Sequence, residues 1–133
     1  MFFLSEFKEI FPNSFVFFKP RDVVSGDFFW AHSEGDLQFV AVVDCTGHGV
    51  PGAFMSLVGA NGLNAAVKEH KKTSPGLILN ELNNFVSDSL NKGSEDSNVR
   101  DGMDISFCTI DYQKMELEYA GANNPLYIIR NNE

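Results

Sequence analysis

The chain is predicted to be α+β, with antiparallel strands covered by a layer of two helices. Three observations point there. Apolar runs at residues 27–32 and 37–44 flank the turn-forming stretch Ser33-Glu34-Gly35-Asp36, the pattern of a β-hairpin. Helical patterning over about residues 51–71 and again from Ser74 to near Gly93 follows with no strand in between. Strand-like runs then return at residues 104–111, 115–120 and 126–130.

Each element has its own local reason. Phe3, Leu4, Phe7, Ile10 and Phe11 recur at helical spacing, so a short amphipathic helix is expected at the start. Residues 15–19 read as a strand, and Phe17, Phe18, Phe28, Phe29 and Trp30 as core or inter-sheet residues. The second long helix is announced by Ser74 as N-cap and Pro75 at its first position. Leu77, Leu79, Leu82, Phe85, Val86 and Leu90 are then available for burial. Residues 92–100 are polar and read as a surface loop, Asp101-Gly102 as a turn before the next strand, and Gln113-Lys114 as a tight turn after it.

Composition narrows the classes of function. With 133 residues, 44% hydrophobic content and thirteen phenylalanines, the chain can bury one core, so one domain or part of one is expected. A net charge of −8 with scattered Lys and Arg argues against a nucleic-acid partner, which requires clustered cations to neutralise phosphates. The two cysteines, Cys45 and Cys108, stand too far apart in sequence for a metal-binding pair and are too few for a disulfide framework. A reduced, cytoplasmic setting is expected. The opening Met1-Phe2-Phe3-Leu4 lacks a basic flank and is soon broken by Glu6, Lys8 and Glu9, so neither a leader nor a membrane span is expected.

Chemistry concentrates between Val40 and Gly52. An apolar strand delivers Asp44 at its tip, Gly47 and Gly49 allow close backbone approach, and Pro51 suits the first turn of a helix. Gly47-His-Gly-Val-Pro-Gly52 also fits the dinucleotide string G-x-G-x-x-G. That reading fails because no second parallel strand with a terminal acid follows about 20 residues on. Asp44 would moreover repel a bare pyrophosphate unless a cation stood between them. Asp27 starts the hairpin strand that neighbours the end of the Asp44 strand, so the two carboxylates should converge. Paired hard oxygens suit Mg²⁺ or Mn²⁺ better than zinc.

Three motifs in order, Ser25-Gly-Asp-Phe-Phe-Trp30, Asp44-Cys-Thr-Gly-His-Gly-Val-Pro-Gly-Ala-Phe-Met-Ser56 and Gly121-Ala-Asn-Asn-Pro-Leu-Tyr127, resemble the SpoIIE-like branch of the bacterial PPM-type serine/threonine phosphatases. The resemblance implies an α/β/β/α sandwich. It implies metal-dependent hydrolysis of phosphoserine or phosphothreonine in a regulatory protein, such as an anti-sigma-factor antagonist. It further implies a centre of two Mn²⁺ or Mg²⁺ ions that activates water directly, with no protein nucleophile. By the same resemblance Asp27 and Asp44 are metal ligands, Asp44 bridges, and the backbone carbonyl of Cys45 completes one shell. The family's remaining metal aspartates follow the Gly-Ala-Asn-Asn-Pro strand, whereas this sequence ends at Glu133. Residues 1–133 therefore read as a single incomplete domain with C-terminal strands missing, and the chain is expected to be inactive alone. The expected partners are a phosphorylated protein substrate and an upstream sensor domain or regulator, with self-association through exposed sheet edges. The alternative is a catalytically dead remnant that binds a phosphoprotein or regulator. His48 is read as an exposed turn residue, Arg21 as a surface arginine, and Asn123 and Asn124 as a polar turn ahead of Pro125.

Overall fold

Alternating burial along one strand shows how the sheet is used. Residues 4–91 and 102–133 are described by a computed structural model. Strands β1 (Phe28–Glu34), β2 (Leu37–Cys45), β3 (Met103–Asp111) and β4 (Glu116–Ala122) form one antiparallel sheet in that order. Along β2, Phe39, Ala41, Val43 and Cys45 are buried, while Val42 and Asp44 between them are exposed. Successive side chains point to opposite sides of a strand, so one face of the sheet carries the two long helices, while the other, the face of Val42 and Asp44, is covered only in part, where Phe7 and Phe18 rest on Phe29. The described residues thus supply one sheet and its helical layer, part of the expected sandwich.

The hairpin forms, but its turn is shorter than the expected Ser33–Asp36: Ser33 and Glu34 pair with Gln38 and Leu37 and belong to β1. Gly35 has φ of 62°, and Gly35-Asp36 is a two-residue connection with glycine first, which matches the twist of the flanking strands. Phe39 and Phe107 are fully buried on the helix side with ring centroids 6.4 Å apart, and Trp30 packs 6.2 Å from Phe107. The Trp30 Nε1–H donates to Asn64 Oδ1 at 3.1 Å, which satisfies the indole in the core.

Helix α1 (Leu4–Ile10) buries Phe7, which meets Phe29 edge-on at 5.5 Å. Phe3 of the expected helix lies outside the described residues. Helix α2 (Gly49–Asn64) begins two residues before the expected start. It then widens into a π-helical turn, Ala65–Glu69, and stops at His70. Lys71 follows at φ 55°, outside helical backbone, and its ammonium bonds Glu34 at 2.8 Å. Helix α2 is apolar on both sides: Met55, Val58 and Leu63 are buried, while Val50, Phe54 and Leu57 are exposed. Its glycines allow close packing. A Cβ on Gly59 would stand 3.1 Å from the Phe28 ring, and one on Gly62 would stand 2.6 Å from a Leu82 methyl.

Helix α3 (Pro75–Asn91) starts as read, with the Ile78 N–H bonded to the Ser74 carbonyl at 3.0 Å. Its buried side is Pro75, Ile78, Leu82 and Val86, with Leu79, Phe85 and Leu90 partly buried. Leu77 is exposed, because the helix phase turns Ile78 inward instead. The loop expected at 92–100, and Asp101, lie outside the described residues.

Two expected strands are absent from the sheet. Residues 15–19 have strand-like side chains but no hydrogen-bonded partner strand. Phe15 and Phe17 are exposed, and Phe18 only rests edge-on against Phe29 at 6.2 Å. Residues 126–130 are likewise irregular. The chain leaves β4 at Asn123, whose φ is 55°, and Pro125 has no N–H to offer a ladder. Strand β4 itself begins at Glu116 rather than 115, because Met115 adopts φ 55° in the turn, and it runs on to Ala122.

Candidate metal centre

The register β1 to β2 pairs Phe28 with Val43, so Asp27, one residue before β1, lies beside Asp44. The expected convergence is present. Burial and a hydrogen-bonding contact with the Asp44 carboxylate push the Asp27 carboxyl above its ordinary value of 3.8, and the like charge of Asp44 adds to this. A cation between the two carboxylates would relieve their repulsion. Among the described residues no Lys, Arg or His lies within ion-pair distance of either.

Close backbone packing holds this end of the sheet. Gly26 is buried, and a Cβ there would stand 3.1 Å from the Cys45 carbonyl oxygen and 3.2 Å from that of Gly47. A Cβ on Gly52, in the first turn of α2, would stand 2.9 Å from the Gly47 oxygen and 3.2 Å from the Gly26 nitrogen. Gly47 and Gly49 have φ of 92° and 63°, a region that favours glycine. Thr46 ties the turn to the start of β3. Its N–H and Oγ1–H donate to the Gly102 carbonyl at 2.9 and 3.0 Å, and its Oγ1 accepts from the Gly102 N–H at 3.1 Å.

Cys45 contributes at most its main chain. The side chain is buried, and desolvation, followed by the charges of Asp27 and Asp44, pushes the thiol up to about 12. His48 is exposed, with Nδ1 3.6 Å from an Asp22 oxygen, and makes no side-chain cap on α2. Arg21 is exposed. The residues read as a polar turn do more than turn: Asn123 Nδ2 donates to Asp104 Oδ1 at 3.2 Å, and Asn124 Nδ2 donates to the Val42 carbonyl at 3.4 Å.

The donor set fits a hard dication in part. Asp27, Asp44 and a neighbouring backbone carbonyl are oxygen donors of the kind Mg²⁺ and Mn²⁺ take. Among the described residues, however, no three His, Cys, Asp or Glu side chains are grouped to hold a metal ion. A groove of about 500 Å³ opens beside the pair, lined by Phe17, Phe18, Phe29 and Val42 together with Asp27, Asp44 and Asn124.

Sequence reasoning did not place Asp104 near Asp44, and β3 sets it directly opposite, although the three carboxylates are not grouped to hold an ion. The available signal was the pairing of residues 104–111 with the Asp44 strand, and a linear reading does not say which strands are neighbours.

Comparison with known proteins bears on this geometry. A family model described as stage II sporulation protein E (SpoIIE) matches residues 34–133. The solved SiaA-PP2C domain of Pseudomonas aeruginosa superposes with a TM-score of 0.71 at 33% sequence identity, covering 81% of this chain and 42% of that one. The chain therefore spans less than half the length of that solved relative. Comparison with curated proteins gave no match. A family match across most of the chain, over the sheet and helices that carry Asp44, leads to one assignment: the chain belongs to the SpoIIE family of PPM-type protein phosphatases.

Proposed function

We propose that this chain forms part of a metal-dependent protein phosphatase that hydrolyses phosphoserine or phosphothreonine in a regulatory phosphoprotein of a bacterial signalling system. The observation that carries the proposal is the contact between Asp27 and Asp44 at one sheet end, without a cationic side chain in ion-pair reach among the described residues. Asp27 and Asp44 would hold the ions, Asp44 being shared between them, and the Cys45 carbonyl would be a third donor. Two divalent ions, Mn²⁺ or Mg²⁺, supply an activated water and a clamp on the phosphoryl oxygens when bound. The protein's own part is to hold the carboxylates rigidly, through the β1–β2 ladder and the Thr46–Gly102 clamp. Residues 1–133 act as one incomplete domain in the cytoplasm, under an upstream sensor or regulator, and its open sheet edges favour self-association. Among the described residues no helix is long and apolar enough to cross a membrane.

A second reading, a remnant that binds a phosphoprotein or regulator without turnover, is favoured by one observation. Among the described residues no more than two carboxylates meet where a two-ion centre needs more. Phosphate release from a phosphoserine peptide separates the two. Residues 1–133 alone are expected to show no Mn²⁺-dependent release, and the chain joined to the later aspartate motifs of the domain is expected to show it. Absence of turnover in the extended protein would favour the remnant. Turnover by residues 1–133 alone would show that other residues complete the site.

A further inference from the structure

Strands β1 and β4 bound the sheet, and their outer edges differ. Trp30 and Ala31 are only 3% and 1% exposed, backbone included, so the middle of β1 is covered, and Lys71 bonds Glu34 at its end. Strand β4 is exposed at every residue but Ala120, which is half-buried. Alternate residues of an edge strand turn their N–H and C=O groups away from the ladder, and among the described residues no strand takes those of β4. Its ladder to β3 runs in unbroken register, and its sequence, Glu116-Leu-Glu-Tyr-Ala-Gly-Ala122, has no proline or lysine to blunt the edge. Tyr119 leaves that edge clear. Its hydroxyl donates to the Asn124 carbonyl at 2.7 Å, and the ring lies back along its own strand, where a Cβ on Gly121 would collide with the hydroxyl.

The charge pattern of β4 is complementary to itself. Its two charges, Glu116 and Glu118, stand in the first half of the strand, and the second half is Ala120-Gly-Ala122. Directly opposite residues on antiparallel strands share a face and interact, and like charges placed opposite are unfavourable. Two copies of β4 that overlap along all seven residues are centred on Tyr119. Glu116 then faces Ala122 of the other copy, Glu118 faces Ala120, Leu117 faces Gly121 and Tyr119 faces itself. No glutamate faces a glutamate. A centre on Glu118 would set that carboxylate against its own copy.

We propose that the outer edge of β4 pairs antiparallel with β4 of a second copy of this chain, about a two-fold axis at Tyr119, so that the two four-stranded sheets become one. This rests on the self-association read under Proposed function, narrows it to one edge and one register, and does not depend on the metal. A two-fold contact uses the same edge on both copies and closes at the dimer, whereas β4 set against β1 of the next copy would leave a free edge at each end and keep growing.

The test is sedimentation velocity of residues 1–133 over a range of concentrations, at about 0.15 M salt to screen the negative charge of each copy, with melting by circular dichroism as the check on folding. The parent is expected to pass from monomer to dimer and stop there. Ala122→Glu sets a new carboxylate opposite Glu116 twice per dimer and is expected to weaken association about fivefold or more, whereas Ala122→Lys is expected to associate at least as well as the parent. In a glutathione redox buffer Tyr119→Cys is expected to form a disulfide-linked dimer, because residue 119 faces itself and the native Cys45 and Cys108 are buried. Leu117→Cys, which faces Gly121, is expected to form none. If the parent dimerises but the two Ala122 variants associate equally, or Leu117→Cys links as readily as Tyr119→Cys, this edge and register are overturned while self-association stands. Assemblies that grow past the dimer overturn the proposal in favour of head-to-tail pairing. A parent that stays monomeric at every concentration overturns the self-association reading and this inference together. Should Tyr119→Cys not fold, the Ala122 pair decides.

Discussion

Asp44→Asn in a protein carrying the whole centre is expected to lower Mn²⁺-dependent phosphate release by orders of magnitude while the fold survives. Asparagine keeps the shape of the side chain, and Asp44 stands exposed on the open face of β2, so the core and the ladder are untouched. What is lost is the charge that, in the proposed centre, would offset two dications. Removing a group that merely orients a ligand costs about 10–100-fold, and removing a bridging ligand should exceed that. The metal-free protein should show the opposite sign. Burial and Asp44 raise the Asp27 carboxyl, so the native state holds that proton more tightly than the unfolded chain. Stability is therefore lost as pH rises above the ordinary 3.8 and through the raised native value. Asp44→Asn removes the carboxylate contact and part of that loss, so at neutral pH without metal its melting temperature is expected at or slightly above the parent's. Most of the activity retained with an unchanged melting curve would refute the role given to Asp44.

Gly52→Ala sets helix propensity against packing, and packing is expected to win. In an exposed helix interior the change would gain about 1 kcal/mol. Here the new Cβ would stand 2.9 Å from the Gly47 carbonyl oxygen and 3.1 Å from its carbon, and these are backbone atoms with no rotamer to give way. The start of α2 must move off the turn that follows Asp44 and Cys45. Overpacking of this kind costs about 1–3 kcal/mol, and a displaced turn also shifts the proposed Cys45 carbonyl donor. Urea unfolding should therefore show a lower midpoint, with Mn²⁺ affinity reduced alongside. A raised midpoint with unchanged affinity would show that the turn tolerates the methyl group.

The hairpin and the meeting of Asp27 with Asp44 were legible because they rest on local signals: two apolar runs flanking the turn-forming stretch Ser33–Asp36; the exact two-residue turn at Gly35-Asp36 was not. The start of α3 was legible for the same reason, in Ser74 and Pro75. What failed was what depends on partners. Residues 15–19 and 126–130 have strand-like side chains, yet a strand exists only where a neighbour takes its hydrogen bonds, and none does among the described residues. Leu77 looked as apolar as Ile78, and only the phase of α3 against the sheet decides which is buried. That Asp104 stands opposite Asp44 went unread because the two are far apart in sequence and meet only through the β2–β3 register. The three motifs, by contrast, pointed to the family that the match over residues 34–133 shows.

Whether Asp27 and Asp44 are the anchoring half of a metal centre is decided most directly by paramagnetic broadening. In a ¹H–¹⁵N spectrum of residues 1–133, substoichiometric Mn²⁺ should erase the amide signals of Gly26, Asp27, Asp44, Cys45 and Thr46 first, and Asp44→Asn should abolish that selectivity. Broadening that begins at the opposite end of the sheet, around Asp111, Glu116 and Glu118, or that is unchanged by Asp44→Asn, would mean that the Asp27–Asp44 pair does not hold the ion.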